Sequence, residues 1–508
     1  MRKIFLGILI FYFFVLYGYG QSLSIPEVVI YGEDVSQVLG VPSEEKQTFL
    51  KEKWDYLPKE KIYKQEFLSS KKRKKFLLMI SPSIGNFSSN LFDFLCAYQR
   101  KKGYVLFNEK YNYTKGESYF HKEKNNVSQL TFGYNFKNNV KMDIFSSYNY
   151  NQHNLNISGN EEKKFIFFSL SSQKEFKKDL SVFVNIFYEQ ASLMFGDTTR
   201  DYSNGLIIDF SWPYWENNVL DIKLRRTSEK LINRRNTYGA EISNKWRVFP
   251  SFNFKVGVRF KDINKPIKDS LISPLISFSV NFDKSLELYT EYFNDLELFS
   301  FRKLYLNNKW IKVNTFLKPQ KTTFVLNSGI RFIKDLNKLN IKISEKKFKH
   351  FVRIVDNGNT GTPENIGDIS LIQITSSFSR EKKFFYGIDY VWSYISQKER
   401  DYIPYLPVHS LSGYLGLDTK KLFVKLETVS STKRYFSTTN SDNLSAYIIF
   451  NLESIYSILQ NFKLKLNIEN ILSQKYTLRY GYPMSEPIVM FQLIWHFSAP
   501  VSEADENK

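Results

Sequence analysis

The stretch "PIVMFQLIWHF", residues 487–497, decides the fold. Counting back from Phe497 in twos gives Phe497, Trp495, Leu493, Phe491 and Val489, all apolar. The other parity reads His496, Ile494, Gln492, Met490 and Ile488, a mixed set. Successive side chains of a strand point to opposite faces, so this segment has one wholly apolar face and one mixed face. An apolar face of that length needs a core or a lipid against it. Yet the segment stands almost at the end of a long, Lys-rich chain.

The same alternation returns along the chain from about residue 76. In "NFKLKLNIEN" (461–470), Phe462, Leu464, Leu466 and Ile468 alternate with Lys463, Lys465, Asn467 and Glu469. In "VLDIKLRR" (219–226), Leu220, Ile222 and Leu224 alternate with Asp221, Lys223 and Arg225. "NVKMDIF" (139–145) and "ISFSVNF" (276–282) repeat the pattern. About 22 such segments can be counted, each roughly 9–13 residues long. Short connections near 137–139, 177–179 and 418–420 alternate with longer polar ones. The longer ones lie near 113–127, 151–162, 191–202, 297–320, 347–366, 433–443 and 474–486.

This rhythm predicts an all-β fold: a transmembrane antiparallel up-and-down β-barrel of about 22 strands. Strands of about 9–11 residues cross the hydrocarbon when tilted, and closure leaves no unpaired edge. The apolar parity then faces lipid, and the charged parity faces a wet interior. The segment 487–497 becomes the last stave, pairing with the first. Phe491, Leu493, Trp495 and Phe497 resemble the C-terminal aromatic signal of outer-membrane barrels, which implies recognition by the barrel-assembly machinery.

The N-terminus sets the compartment. "MRKIFLGILIFYFFVLYGYGQS" (1–22) has Arg2 and Lys3, an apolar run from Ile4 to Tyr17, and Gly18-Tyr19-Gly20. It reads as a secretory signal over 1–20, cut before Gln21; an uncleaved anchor is the alternative. The expected divisions are the signal (1–20), a short N-terminal periplasmic arm (21–75), the barrel (76–497) and a polar tail (498–508). The arm contains a candidate helix near 43–56. It ends in "KKRKK" (71–75), either a solvated charge run or a contact for anionic lipid or an acidic partner. The expected location is the outer membrane of a diderm bacterium, with both termini periplasmic and outer-membrane lipid around the wall.

Composition restricts function. The chain has 508 residues and a net charge of +20. Lys, Asn, Ile, Phe and Tyr are abundant together and the lysines are scattered, so the charge follows composition and need not mark an anionic partner. Cys96 is the single cysteine, and the five histidines (His121, His153, His350, His409 and His496) are dispersed. There is no G-x-S-x-G, H-E-x-x-H, P-loop or nucleotide fingerprint. No catalytic, cofactor or metal site is expected, and no nucleic-acid partner.

The C-terminal part also carries a resemblance. "FLKPQKTTFVLNSGIRF" (316–332), with Leu317, Lys318 and Pro319, resembles the L-K-P-E-x-S strand start of TonB-dependent receptors. Gln320 stands for the family's Glu and Thr322 for its Ser. "PENIGDISLIQI" (363–374) resembles their N-x-G strand. Pro404, Pro407 and His409 match P-x-x-P-x-H. Asn470, Tyr476, Gly481 and Pro483 match the closing hairpin, and nine strands from 322 to 497 fall in the family's order. In "SIPEVVIYGED" (24–34), residues Pro26, Glu27, Val28, Val29, Ile30 and Gly32 resemble the segment where TonB contacts the receptor and the plug begins. The resemblance implies transport of a solute, with TonB as energiser. It also implies a plug, and the arm of about 55 residues is too short for one.

A plugless barrel of this size encloses a wide hole. Infolded outer loops, the arm or a separate plug protein or lipoprotein could fill it. The arm alternative places Val28 and Ile30 on the inner wall and Glu33 and Asp34 beside Lys463 and Lys465. Two functions stay open: a transport barrel, and a scaffold barrel that presents surface loops or binds a lipoprotein.

Overall fold

The computed structural model describes residues 74–500 apart from several connections and turn residues, the longest at 298–316. Twenty-two strands form one sheet, each paired antiparallel with its neighbours in the chain. The first strand, Lys74–Gly85, also pairs with the last, Ile488–Pro500, which closes the sheet into a barrel. No helix occurs among the described residues. The first strand begins at Lys74, and the last runs past Phe497 to Pro500.

The pairing fixes which face each side chain takes. Phe491 is 58% exposed, and Leu493, Trp495 and Phe497 lie between 42% and 47%, while Gln492 and Ile494 between them are buried. Leu224, Ile242, Val258, Ile272, Ile388 and Leu415 stand equally exposed on other strands. In water such a surface would aggregate; around a closed barrel it is the lipid-facing belt.

The short connections gather at the rim that holds Lys74 and Pro500. One is the two-residue turn at Asp335 and Leu336, where Asp335 takes the left-handed φ of 55°. The long connections gather at the opposite, far rim. Two polar stretches read as loops, 151–162 and 191–202, are largely strand instead. Val140–Leu155 pairs with Gly159–Glu175, and Ser181–Phe195 with Asp197–Trp215. Strands of up to 19 residues outrun the roughly 9–11 that a bilayer needs. Their polar ends continue the ladder beyond the lipid, where no apolar parity marks them.

The closing seam carries a local repair. Register runs from Ile80 opposite Trp495 to Ser83 opposite Gln492, and the ladder lapses between them at Pro82. Proline has no N–H to give to the facing carbonyl. Ser81 supplies the donor, its Oγ 2.9 Å from the Leu493 carbonyl oxygen.

Inside the barrel a second regularity keeps the bore wide. Tyr104 faces Gly133, Phe187 faces Gly205, Tyr289 faces Gly329, Tyr414 faces Gly387 and Phe385 faces Gly416, each pair in register on adjacent strands. A methyl group at any of these glycines would collide with the facing ring. The rings therefore lie flat on the wall instead of projecting into the bore.

Candidate functional site: the inner wall and the far mouth

Several inward-facing charges on the wall are met by charges on their own or adjacent strands. Lys141 Nζ is 3.0 Å from Asp143, Lys245 3.0 Å from Asp221, Lys465 3.0 Å from Glu453, and Lys425 3.1 Å from Glu427. Glu241 accepts from both Nε and Nη2 of Arg259 at 2.8–2.9 Å. Arg331 reaches Glu287 at 3.1 Å and lies over the Tyr289 ring. Pairs that remain partly wetted contribute about 0.2–1 kcal/mol each. Each pair sets opposite charges side by side on the wall. Lys465, expected to meet an acidic arm, is thus already held by Glu453.

At the far rim two clamps fold the long connections onto the wall. The first joins the L-K-P, N-x-G and P-x-x-P segments. Asn365 accepts from the Lys318 N–H at 2.8 Å, donates to the Lys318 carbonyl at 3.2 Å, and donates to the His350 carbonyl at 2.8 Å. Gln320, fully buried, accepts from the Val352 N–H at 2.9 Å. An amide oxygen does here what a carboxylate would, so the Glu-to-Gln departure keeps the bond.

These contacts seat a hairpin, Val352–Asp356 paired with Gly361–Asn365. Phe351, Val355, Ile366, Ile403 and Leu406 bury their side chains against the inward-facing Phe348, Ile369 and Leu371. The hairpin therefore bends inward over the mouth. Arg353 inside this packing donates through Nε to the Pro404 carbonyl. Burial lowers its pKa to about 10, so it stays charged at neutral pH. Leu317, Pro319, Pro404 and Pro407 are buried, and Lys318 is exposed. His409 Nδ1 is 2.7 Å from the Tyr390 hydroxyl, on the outer face of the wall.

The second clamp holds the last connection. Asn470, at φ 55°, accepts from the Gln474 N–H and donates to the Gln474 carbonyl, both at 3.0 Å. Tyr476 lies against Tyr447 with ring centroids 4.7 Å apart. Arg434 sits over the Tyr447 ring and donates from Nη2 to the Thr477 carbonyl at 2.7 Å. The motif residues thus join loops to wall; they do not converge on a reacting centre. Arg353, Arg434 and Tyr447 escaped the sequence reading, since nothing in their local pattern marks them.

Pro26, Glu27, Val28, Val29, Ile30 and Gly32, with Glu33 and Asp34, lie outside the described residues, as do Gly481 and the 43–56 segment. Pro483 falls in the small strand Tyr482–Met484. Among the described residues no group of three His, Cys, Asp or Glu side chains could hold a metal ion.

No protein-family model matches the chain, and no curated protein matches it. Solved structures do. The copper transporter OprC superposes with a TM-score of 0.68 at 12% identity, over 83% of this chain and 80% of that one. The FrpB iron transporter from Neisseria meningitidis gives 0.70 at 10% identity, over 85% and 82%. The siderophore receptor PiuA from Acinetobacter baumannii gives 0.65 at 9% identity, over 83% and 81%. With strand number, closure and motif order in agreement, the chain has the fold of the TonB-dependent receptor barrels of the outer membrane.

Proposed function

We propose that this protein is an outer-membrane transport protein that moves or binds a solute, with a plug or energising partner such as TonB supplied by another chain. The observation that carries this reading is the inner wall. Five of its rings lie over facing glycines and several of its charges are paired along the wall, which suits a wet passage. The clamps keep the far mouth partly covered, as a selective entrance requires. The solutes named for the similar structures, copper, iron and siderophores, are the first to test.

A scaffold role is the second reading, favoured by how firmly the far-rim loops are held. Depletion of solutes from the medium by cells with and without the protein separates the two. Transport expects depletion of one solute class to slow roughly tenfold, a barrier change of about 1.4 kcal/mol, and to recover on complementation. Scaffolding expects unchanged depletion together with loss of a co-purifying lipoprotein.

A further inference from the structure

Several lysines on the bore side are held by carboxylates, but on the lipid side, near the far rim, two lysines lie against rings. They stand on four neighbouring strands, Gly103–Thr114, Lys122–Asn135, Val140–Leu155 and Gly159–Glu175. The outward rows can be followed across the ladder. Leu130 and Phe168 share one row, and Tyr148 and Ile166 share the next toward the far rim. All four are 38–46% exposed and belong to the lipid belt. The next row holds Tyr111, Asn126, Tyr150 and Lys164, and the one beyond it Tyr113, Lys124, Gln152 and Glu162. Apolar side chains thus give way to tyrosine and charge within one step, as at the level of lipid headgroups. Lys124 Nζ lies 6.0 Å from the centre of the Tyr111 ring and 5.9 Å from that of Tyr150. Lys164 Nζ lies 5.5 Å from the Tyr150 centre and 3.1 Å from Glu162. Both lysines are exposed. Among the described residues no carboxylate is within ion-pair distance of Lys124. A ring attracts an ammonium group without neutralising it.

We propose that Lys124 and Lys164, set about the Tyr150 ring, bind the phosphate of a phosphorylated glycolipid in the leaflet at the far rim. Lys124 brings an uncompensated charge to the headgroup level, where each basic residue adds to the attraction of an anionic lipid. Lys164 brings a charge that Glu162 holds and that a phosphate would share. The tyrosines beside them offer flat faces to the sugar. The long connections mark this rim as the outer one. The site faces away from the bore, so the inference rests on the outer-membrane reading of the fold and stands whether or not the barrel moves a solute.

The test titrates the full chain, folded in an uncharged detergent, with diphosphoryl lipid A, and native mass spectrometry reads the bound fraction. Heat-modifiable migration confirms the barrel in each sample. Lys124→Gln is expected to weaken binding about fivefold, and Glu162→Gln to strengthen it; a merely structural role would not move the two in opposite directions. Dephosphorylated lipid A is expected to bind more weakly, and inorganic phosphate to leave the bound lipid in place. Equal retention of the phosphorylated and dephosphorylated lipids, or unchanged binding in both variants, would overturn the proposal while the barrel stands. Displacement by inorganic phosphate would overturn the glycolipid as the source of the anion. An unaltered chain that shows no heat-modifiable form would overturn the outer-membrane reading, and this inference with it.

Discussion

Phe491 and Gln492 are adjacent in sequence and opposite in environment, the one 58% and the other 7% exposed. A charge on the lipid face near the bilayer midplane costs about 2–4 kcal/mol, whereas the inner face tolerates it. Phe491→Arg is therefore expected to lower the unfolding free energy from a denaturant titration by that amount, and Gln492→Arg to have a much smaller effect. Equal losses would mean that the parity is wrong. This contrast was legible in the sequence, because lipid contact writes itself as period two. The role of Asn365 was not. Its bonds run to Lys318, 47 residues away, and no local pattern encodes such a partner. Asn365→Ala removes three hydrogen bonds, each contributing about 0.5–1.5 kcal/mol. Amide exchange of the 352–365 hairpin should accelerate by one to two orders of magnitude while the barrel strands stay protected. Unchanged exchange in the hairpin would show that the apolar contacts alone seat it.

At the scale of strands, the in-register glycine and aromatic pairs decide the shape of the wall. Gly387 lies under the Tyr414 ring. Gly387→Ala is expected to cost about 1–3 kcal/mol by overpacking, even though alanine is otherwise no worse than glycine in a strand. Adding Tyr414→Ala should recover part of that loss, and a double-mutant cycle on unfolding free energies measures the coupling. Purely additive losses would contradict the flat-ring arrangement. Strand existence and order could be read from the alternation, including the nine strands after 322. Strand ends in the first half could not. The ladder in Gly159–Glu175 and Asp197–Trp215 continues through polar residues that look like loop. Beyond the lipid, backbone pairing persists without the apolar face that reveals it.

On the scale of the whole molecule, the sequence motifs and the fold agree for a physical reason. The family-like residues hold long outer connections against the wall, a task any wide barrel of this kind shares, whatever passes through it. They therefore announce the architecture and leave the solute open. The far-rim hairpin packs on inward-facing residues of the wall, so at least this one connection turns toward the bore.

Closure is the central claim, and pairing between the two end strands tests it most directly. Ser83 and Gln492 are register partners across the seam, close enough for a disulfide when both are cysteines. Ser83→Cys with Gln492→Cys, on a Cys96→Ser background and in folded protein, should oxidise to an intramolecular bond. The offset pair Ser83→Cys with His496→Cys lies about 13 Å out of register and should stay reduced. An intramolecular disulfide only in the first pair is the predicted result. Only intermolecular disulfides, or equal oxidation of both pairs, would contradict a closed barrel with this register.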